Sequence, residues 1–397
     1  MALLSINDPA RARETTYTGP ALLGLGFRPF YLLAAAFAAV SVPAWLASYY
    51  GFVTAPAIGL AWHMHEMVFG FVVAVVVGFL YTAARNWTGL WTPRGAHLGA
   101  LAALWIAGRA AMLWAPAPLA ALVDLAFLPL AAWPLYRVMR RADNRRNLFL
   151  VGLLGLLALA NAAFHASAAG LLGMSAVRPI HAAIMIVVVI EAAIGGRVIP
   201  HFTANSVPGT APVINPRLDR LALALAALAA LAWIGAAPAL VGVPLSLAAA
   251  AAQAWRLAGW KPMCTLRQPL LWVLHLSYAW IPAGFVLLAL AQAGLAPLSA
   301  AVHVLAVGAL GGLIVGMITR TALGHTGRPL KAGGSETAMY LMIQLGVLAR
   351  LGAALATGSL REPLLLTAGA LWSATFLLYA AVYAPRLFAA RPDGREG

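Results

Sequence analysis

The chain has 397 residues, of which 63% are hydrophobic and only 9% are charged, and its mean hydropathy is +0.87. Because charged residues make up about 25% of a soluble globular domain, this composition excludes a soluble protein and indicates a polytopic membrane protein. The formal net charge of +15 would suggest a nucleic-acid partner in a soluble chain. Here we expect a lipid bilayer and no nucleic acid.

Twelve apolar segments are long enough to cross a bilayer as helices. These spans, numbered in chain order, are 27–50, 61–83, 97–115, 118–138, 147–168, 177–199, 218–237, 239–256, 270–293, 299–321, 336–357 and 363–385. We therefore predict an all-α membrane protein with about 12 transmembrane helices. A tail at 1–26 precedes a single transmembrane domain at 27–385, and a second tail follows at 386–397.

The basic residues predict the orientation of the chain. Lys and Arg concentrate in the two tails, which include Arg11 and Arg13, and in the connections that follow even-numbered spans. The opposite connections hold only Arg178 and Arg361. By the positive-inside rule, both termini are predicted to be cytoplasmic.

An internal repeat organises the spans. The segment 62–90 recurs 238 positions later without a gap, and a weaker copy lies at 178–205. In this alignment His65 corresponds to His303 and His181 corresponds to both. We therefore predict three four-helix repeats, at about 27–138, 147–256 and 270–385.

Span 2 begins with WHMHE, which places two histidines and a carboxylate near one membrane surface. His63 and Met67 are four residues apart and share a helix face, and His181 and Met185 repeat this spacing in span 6. An imidazole and a thioether on one face suit copper(I), although methionine is also a common apolar filler. Glu66 would order a metal ligand or carry protons.

Arginines stand alone in spans 3 and 11. Arg109 and Arg350 are near-equivalent in the repeat, and an arginine inside a membrane needs an anionic partner. A haem propionate would serve, as would one of the few buried acids, which are Glu66, Asp124 and Glu191.

The histidines fall into two layers across the predicted membrane. The outer layer holds His63, His65, His165, His181 and His303, and the inner layer holds His201, His275 and His325. A buried histidine is costly without a partner and is therefore a functional candidate, although a hydrogen bond to a neighbouring helix explains one equally well. Pro200 is predicted to end span 6, just before His201.

Span 10 has a face without side chains, because Gly308, Gly312 and Gly316 recur at every fourth residue. Such a face admits either another helix or a flat ligand such as a porphyrin. The single cysteine and the absence of a CxxCH motif mean that any haem would be held non-covalently.

Several motifs resemble those of the NnrS family, membrane proteins of denitrifying and other bacteria that are linked to the nitric oxide response. They are GFRPF at 26–30, WHMHEM at 62–67, GGRVIP at 195–200, HVLAVGALGG at 303–312 and TRTALGHTGRP at 319–329. The resemblance implies a haem- and copper-containing protein of the bacterial cytoplasmic (inner) membrane that protects against nitrosative stress.

The three four-helix units are also similar to the catalytic subunit of haem–copper oxidases, which has metal-binding histidines on helices 2, 6 and 10. This chain departs from that subunit in two places. Span 7 has no histidine pair, and Leu305 stands where a second haem ligand would lie. A complete oxygen-reducing centre is therefore not expected.

Together these observations give a hypothesis of metal centres that bind or convert nitric oxide. Haem b would be held axially by His65 and His303, with Arg109 and Arg350 near its propionates. Copper would be bound by His63, His165 and His181, with Met67 and Met185 as soft ligands. A separate inner haem or metal site would be formed by His325, His275 and His201. Glu66 or Glu191 would deliver protons. The sequence identifies no electron donor. The alternatives are a transporter of a small solute or metal, and a scaffold for metal-cofactor assembly.

Overall fold

The computed structural model describes residues 17–396. The first sixteen residues, which include Arg11 and Arg13, and Gly397 lie outside the described part of the chain. The described residues form twelve long helices joined by short turns, and they contain no strand. The helices are α1 Phe27–Tyr49, α2 Leu60–Thr88, α3 Ala96–Trp114, α4 Ala117–Arg141, α5 Leu148–Ala168, α6 Val177–Ser206, α7 Pro216–Ile234, α8 Ala239–Gly259, α9 Pro269–Gln292, α10 Leu298–His325, α11 Gly334–Leu355 and α12 Arg361–Phe388.

Each predicted span coincides with one of these helices, which confirms the all-α membrane fold. Eleven of the helices found between residues 17 and 396 are long and apolar enough to cross a membrane. Helix α7 is the exception because Arg217, Asp219 and Arg220 lie in its first turns. The prediction that Pro200 ends span 6 is wrong, since α6 continues through it to Ser206. A membrane helix tolerates an internal proline where neighbouring groups satisfy the freed backbone.

Helices α2, α6 and α10 form the interior of the bundle. Consecutive helices pack side by side, and α12 packs against α1 to close the ring. Within its apolar window α2 is 89% buried and α10 is 72% buried, whereas α3, α4 and α5 are each only 33% buried. Helix α6 contacts both α2 and α10. Side chains on these inner helices therefore face protein rather than lipid.

Helices α2 and α10 share an irregularity. A π-helical segment occupies Glu66–Val72 in α2 and Val304–Gly311 in α10. Each segment starts directly after a histidine, His65 or His303, and the two starts are 238 positions apart, as in the sequence repeat. Short π segments in membrane and soluble helices are frequent at functional sites, because the extra residue turns the following side chains to a new face.

The glycine face of α10 holds a helix. A Cβ atom on Gly308 would lie 2.6 Å from Cγ of Trp280, and one on Gly312 would overlap the Ser277 hydroxyl. A Cβ atom on Gly316 would likewise lie 2.7 Å from the Leu274 side chain. Of the two occupants that the sequence allowed, a helix and a porphyrin, the structure shows the helix, because α9 fills this face.

Candidate metal centre

Polar side chains from four helices meet inside the bundle, in a region that is otherwise apolar. Helix α2 contributes His65 and Glu66, α3 contributes Arg109, α4 contributes Asp124, and α5 contributes Asn161 and His165. All six are buried except His165, whose side chain is 11% exposed. Burying such a set of polar groups within a membrane is energetically unfavourable unless the groups form hydrogen bonds or ion pairs with one another.

His65 is held at both ring nitrogens. Its Nδ1 lies 2.9 Å from Oε1 of Glu66, and its Nε2 lies 2.9 Å from Oδ1 of Asn161 and 3.3 Å from Oδ2 of Asp124. The amide of Asn161 donates to Asp124 at 2.7 Å, so its oxygen is the atom that faces His65. An amide oxygen and a carboxylate only accept, so both nitrogens of His65 donate in this arrangement.

Arg109 lies between two carboxylates. Its Nη1 donates to both oxygens of Glu66 at 2.6 Å, and its Nη2 donates to Asp124. The expectation that Arg109 has an anionic partner among the buried acids agrees with this geometry. The charges of one arginine, one doubly protonated histidine and two carboxylates cancel, which makes the burial of the cluster affordable.

Three of these side chains present a set of metal-binding atoms. His65, Asp124 and His165 each offer one ligand atom, and these atoms all lie within 4.8 Å of one another. Nε2 of His165 is 3.0 Å from Oδ2 of Asp124. Ligand atoms bonded at about 2.1 Å to one ion lie about 3 Å apart at its edges, so the spacing fits a metal. This is the only group of three or more such residues between positions 17 and 396.

Neighbouring residues fix the orientation of these ligands. Glu66 accepts from Nδ1 of His65 and thereby points Nε2 toward Asp124, as a carboxylate does behind many metal-bound histidines. Trp105 donates its indole N–H to the Gly70 carbonyl at 3.1 Å, within the π segment where helical bonding is altered. The phenyl ring of Phe164 packs on His65 with ring centroids 4.5 Å apart.

Asp124 is the candidate ligand that sequence reasoning did not assign. It was recognised only as a possible counter-ion for an arginine, because a single aspartate in span 4 has no ligand spacing with any histidine. The available signal was its position: a carboxylate inside a membrane span is a functional candidate wherever it occurs.

The three histidines predicted to share copper have different neighbours. His165 contacts Asp124, His63 stacks on Trp45 of α1 at 4.2 Å, and His181 stacks on Trp233 of α7 at 4.7 Å. The methionines predicted as soft ligands pack in the hydrophobic core, Met67 partly buried and Met185 fully buried.

His303 lies in a second polar group on α10. Its Nδ1 donates to the Ser299 carbonyl at 2.8 Å, and Arg350 of α11 approaches both ring nitrogens at 3.1 Å. The structure thus places His65 against α4 and α5 and His303 against α11.

The inner histidines also have separate partners. His275 bonds to the Thr203 hydroxyl at 2.9 Å, and His325 lies 3.5 Å from the amide of Asn86. His201 is exposed. The structure does not bring these three rings to one point.

Glu191 lines a cavity of about 70 Å³ between the inner helices. The other walls are mostly apolar side chains of α2, α6, α9 and α10, with Tyr31 from α1. Oε2 of Glu191 is buried and has no hydrogen-bond partner among residues 17–396. No histidine is among the residues that line this cavity. Because α9 also fills the glycine face of α10, neither the cavity nor that face offers a site for a histidine-ligated haem.

A sequence model of the family described as NnrS protein matches residues 21–391 of this chain. The chain belongs to the NnrS family. A comparison with curated proteins gave no match. Because the match covers nearly the whole chain, all six residues of the polar cluster lie within the NnrS region.

Proposed function

We propose that this NnrS-family protein binds nitric oxide at a metal ion held by His65, Asp124 and His165, and that it does so in the bacterial cytoplasmic membrane to relieve nitrosative stress. The observation that carries the proposal is the convergence of two imidazoles and a carboxylate inside the membrane domain. The family assignment supports the link to nitric oxide.

The donor atoms indicate which metal to expect. Two imidazole nitrogens and one carboxylate oxygen suit copper(II) and non-haem iron(II), and three protein ligands leave positions open for a small molecule. We propose copper as the physiological ion, bound without the methionine sulfurs. When bound, the metal supplies an open coordination position for nitric oxide.

The surrounding residues have distinct tasks in this proposal. Glu66 orients His65, and Arg109 balances the charge of both carboxylates. Because Glu66 is engaged in these two contacts, Glu191 is the better candidate for a transferable proton, since its free oxygen faces no competing partner.

The apolar cavity beside Glu191 suits an uncharged diatomic molecule. Nitric oxide dissolves in the bilayer, so it reaches an intramembrane site without a polar channel. Val75 of α2, which lines the cavity, is ten residues from His65, or about 15 Å along a helix. The cavity is therefore separate from the metal centre and would hold nitric oxide close to it.

Haem b is the second predicted cofactor, and no step of the proposed function depends on it. The predicted axial pair of His65 and His303 finds no support in the geometry, because His65 faces α4 and α5 whereas His303 faces α11, and the α10 glycine face is filled. A haem in the purified protein would therefore have to be held by other histidines.

The test is metal content and nitric oxide binding of the purified protein and of single variants. We expect about one copper per chain in the wild type, and less than a tenth of that in His165→Gln and Asp124→Asn. His97→Gln is the matched control, because His97 is exposed and outside the cluster. The copper electron paramagnetic resonance signal should change when nitric oxide is added, and absorption spectra would report any haem.

Each contrary result points to a different function. Equal copper in His165→Gln and wild type would refute the assigned ligands. Copper at wild-type level with no response to nitric oxide would favour a scaffold for cofactor assembly. Protein with neither copper, iron nor a haem Soret band would favour the transporter.

A further inference from the structure

The two repeat-related arginines have opposite surroundings. Arg109 contacts two carboxylates, Glu66 and Asp124. Among residues 17–396, no carboxylate oxygen lies within 4.0 Å of Arg350. The position equivalent to Glu66 is occupied by Val304, which cannot neutralise a charge. One member of the pair has a built-in counter-ion, and the other lacks it.

The contacts of Arg350 leave most of its hydrogen-bonding capacity free. Its Nη2 is 3.1 Å from both Nδ1 and Nε2 of His303. Nη2 is therefore not directed at one ring nitrogen in preference to the other. Nδ1 of His303 already donates to Ser299. Among residues 17–396, Nη2 is the only nitrogen of Arg350 with a hydrogen-bond contact, so Nε and Nη1 are available to a ligand or to water.

A second imidazole and a second arginine stand nearby. His63 of α2 is close enough to interact electrostatically with both Arg350 and His303. Its Nδ1 is buried without a hydrogen-bond partner, and its ring is fixed by stacking on Trp45. Arg361 adds positive potential from the start of α12. The group thus offers several donors and no acceptor of opposite charge.

We propose that Arg350, His63 and His303 form a binding site for a small planar oxyanion of the nitrite type. A guanidinium presents paired N–H groups that match two oxygens of such an anion, and an arginine within a membrane requires an anionic partner. By the predicted topology the site lies at the outer side of the membrane. It does not depend on the metal centre, from which it differs in helices and residues.

Isothermal titration of the purified full-length protein with sodium nitrite, at constant ionic strength, tests this site. We expect saturable binding by the wild type and at least tenfold weaker binding by Arg350→Gln. Arg350→Lys should have an intermediate affinity, because lysine keeps the positive charge but lacks the paired N–H groups of the guanidinium. Arg328→Gln on the cytoplasmic side is the control and should bind like wild type. His165→Gln should also bind nitrite normally, which separates this site from the proposed metal centre.

Circular dichroism of each variant identifies any that fails to fold. In that case Arg350→Lys and His63→Gln carry the comparison. Absence of saturable nitrite binding by the wild type, or equal binding by Arg350→Gln, would overturn the proposal. Binding of chloride but not nitrite would refute the assignment of a planar oxyanion as the ligand. A haem band that is lost only in Arg350→Gln, without nitrite binding by the wild type, would assign Arg350 to a haem propionate instead.

Discussion

Replacing Arg109 with glutamine removes one of the two cations that lie between Glu66 and Asp124, the other being protonated His65. The arginine is buried, and three of its contacts with these carboxylates are direct hydrogen bonds. Breaking a buried ion pair by removing one partner typically costs about 3–5 kcal/mol, because the charge left behind is uncompensated. We expect a loss of this size in the free energy of unfolding, measured by equilibrium denaturation in mixed detergent micelles.

The same substitution at Arg350 is the matched control. The two arginines occupy near-equivalent places in the repeat, but Arg350 has no carboxylate partner among residues 17–396. Without bound anion, Arg350→Gln should destabilise the protein by less than about 1 kcal/mol, because it breaks no ion pair with a carboxylate of the described residues. Equal losses in the two variants would refute the reasoning that the ion pairs of Arg109 stabilise the fold.

A double-mutant cycle sharpens the result. Glu66→Gln combined with Arg109→Gln should destabilise the protein by less than the sum of the single changes, because the first change removes a charge that the second leaves unpaired. Strict additivity would mean that Arg109 acts through packing rather than through the carboxylate.

Three further predictions concern packing and protonation. Gly308→Ala should lower the stability by about 1–3 kcal/mol, because the new methyl group would overlap Trp280. Gly152→Ala is the control and should not lower it, because the space around Gly152 is open. Similar thermal unfolding of the two variants would contradict this prediction. Metal affinity should fall as the pH falls, by up to about tenfold per pH unit, because a metal must displace the Nε2 proton of His65. Titration with copper at several pH values measures this slope. An affinity that does not change with pH would exclude His65 as a ligand. Glu191→Gln should leave stability and copper content unchanged, since the carboxyl lacks a partner for one oxygen; a loss of copper would place Glu191 in the metal centre.

Much of the architecture was accessible from the sequence. Apolar runs of sufficient length predict the twelve helices, because the bilayer imposes a minimum helix length and permits no unpaired backbone. Eleven of the helices between residues 17 and 396 are apolar enough to span a membrane. The π segments that follow His65 and His303 share the spacing of 238 positions found in the sequence repeat, although the sequence did not predict them. An intramembrane arginine demanded an anion, and the structure supplies Glu66 and Asp124 to Arg109.

The composition of the site was decided by the tertiary structure. A sequence places a residue along a helix axis, but packing against neighbours determines how the helix is rotated and which helices meet. The π segment that begins at Glu66 turns the rest of α2, and α4 and α5 bring Asp124 and His165 to His65. The glycine face of α10 accepts a helix or a flat ligand equally well by pattern, and only the side chains of α9 determine its occupant.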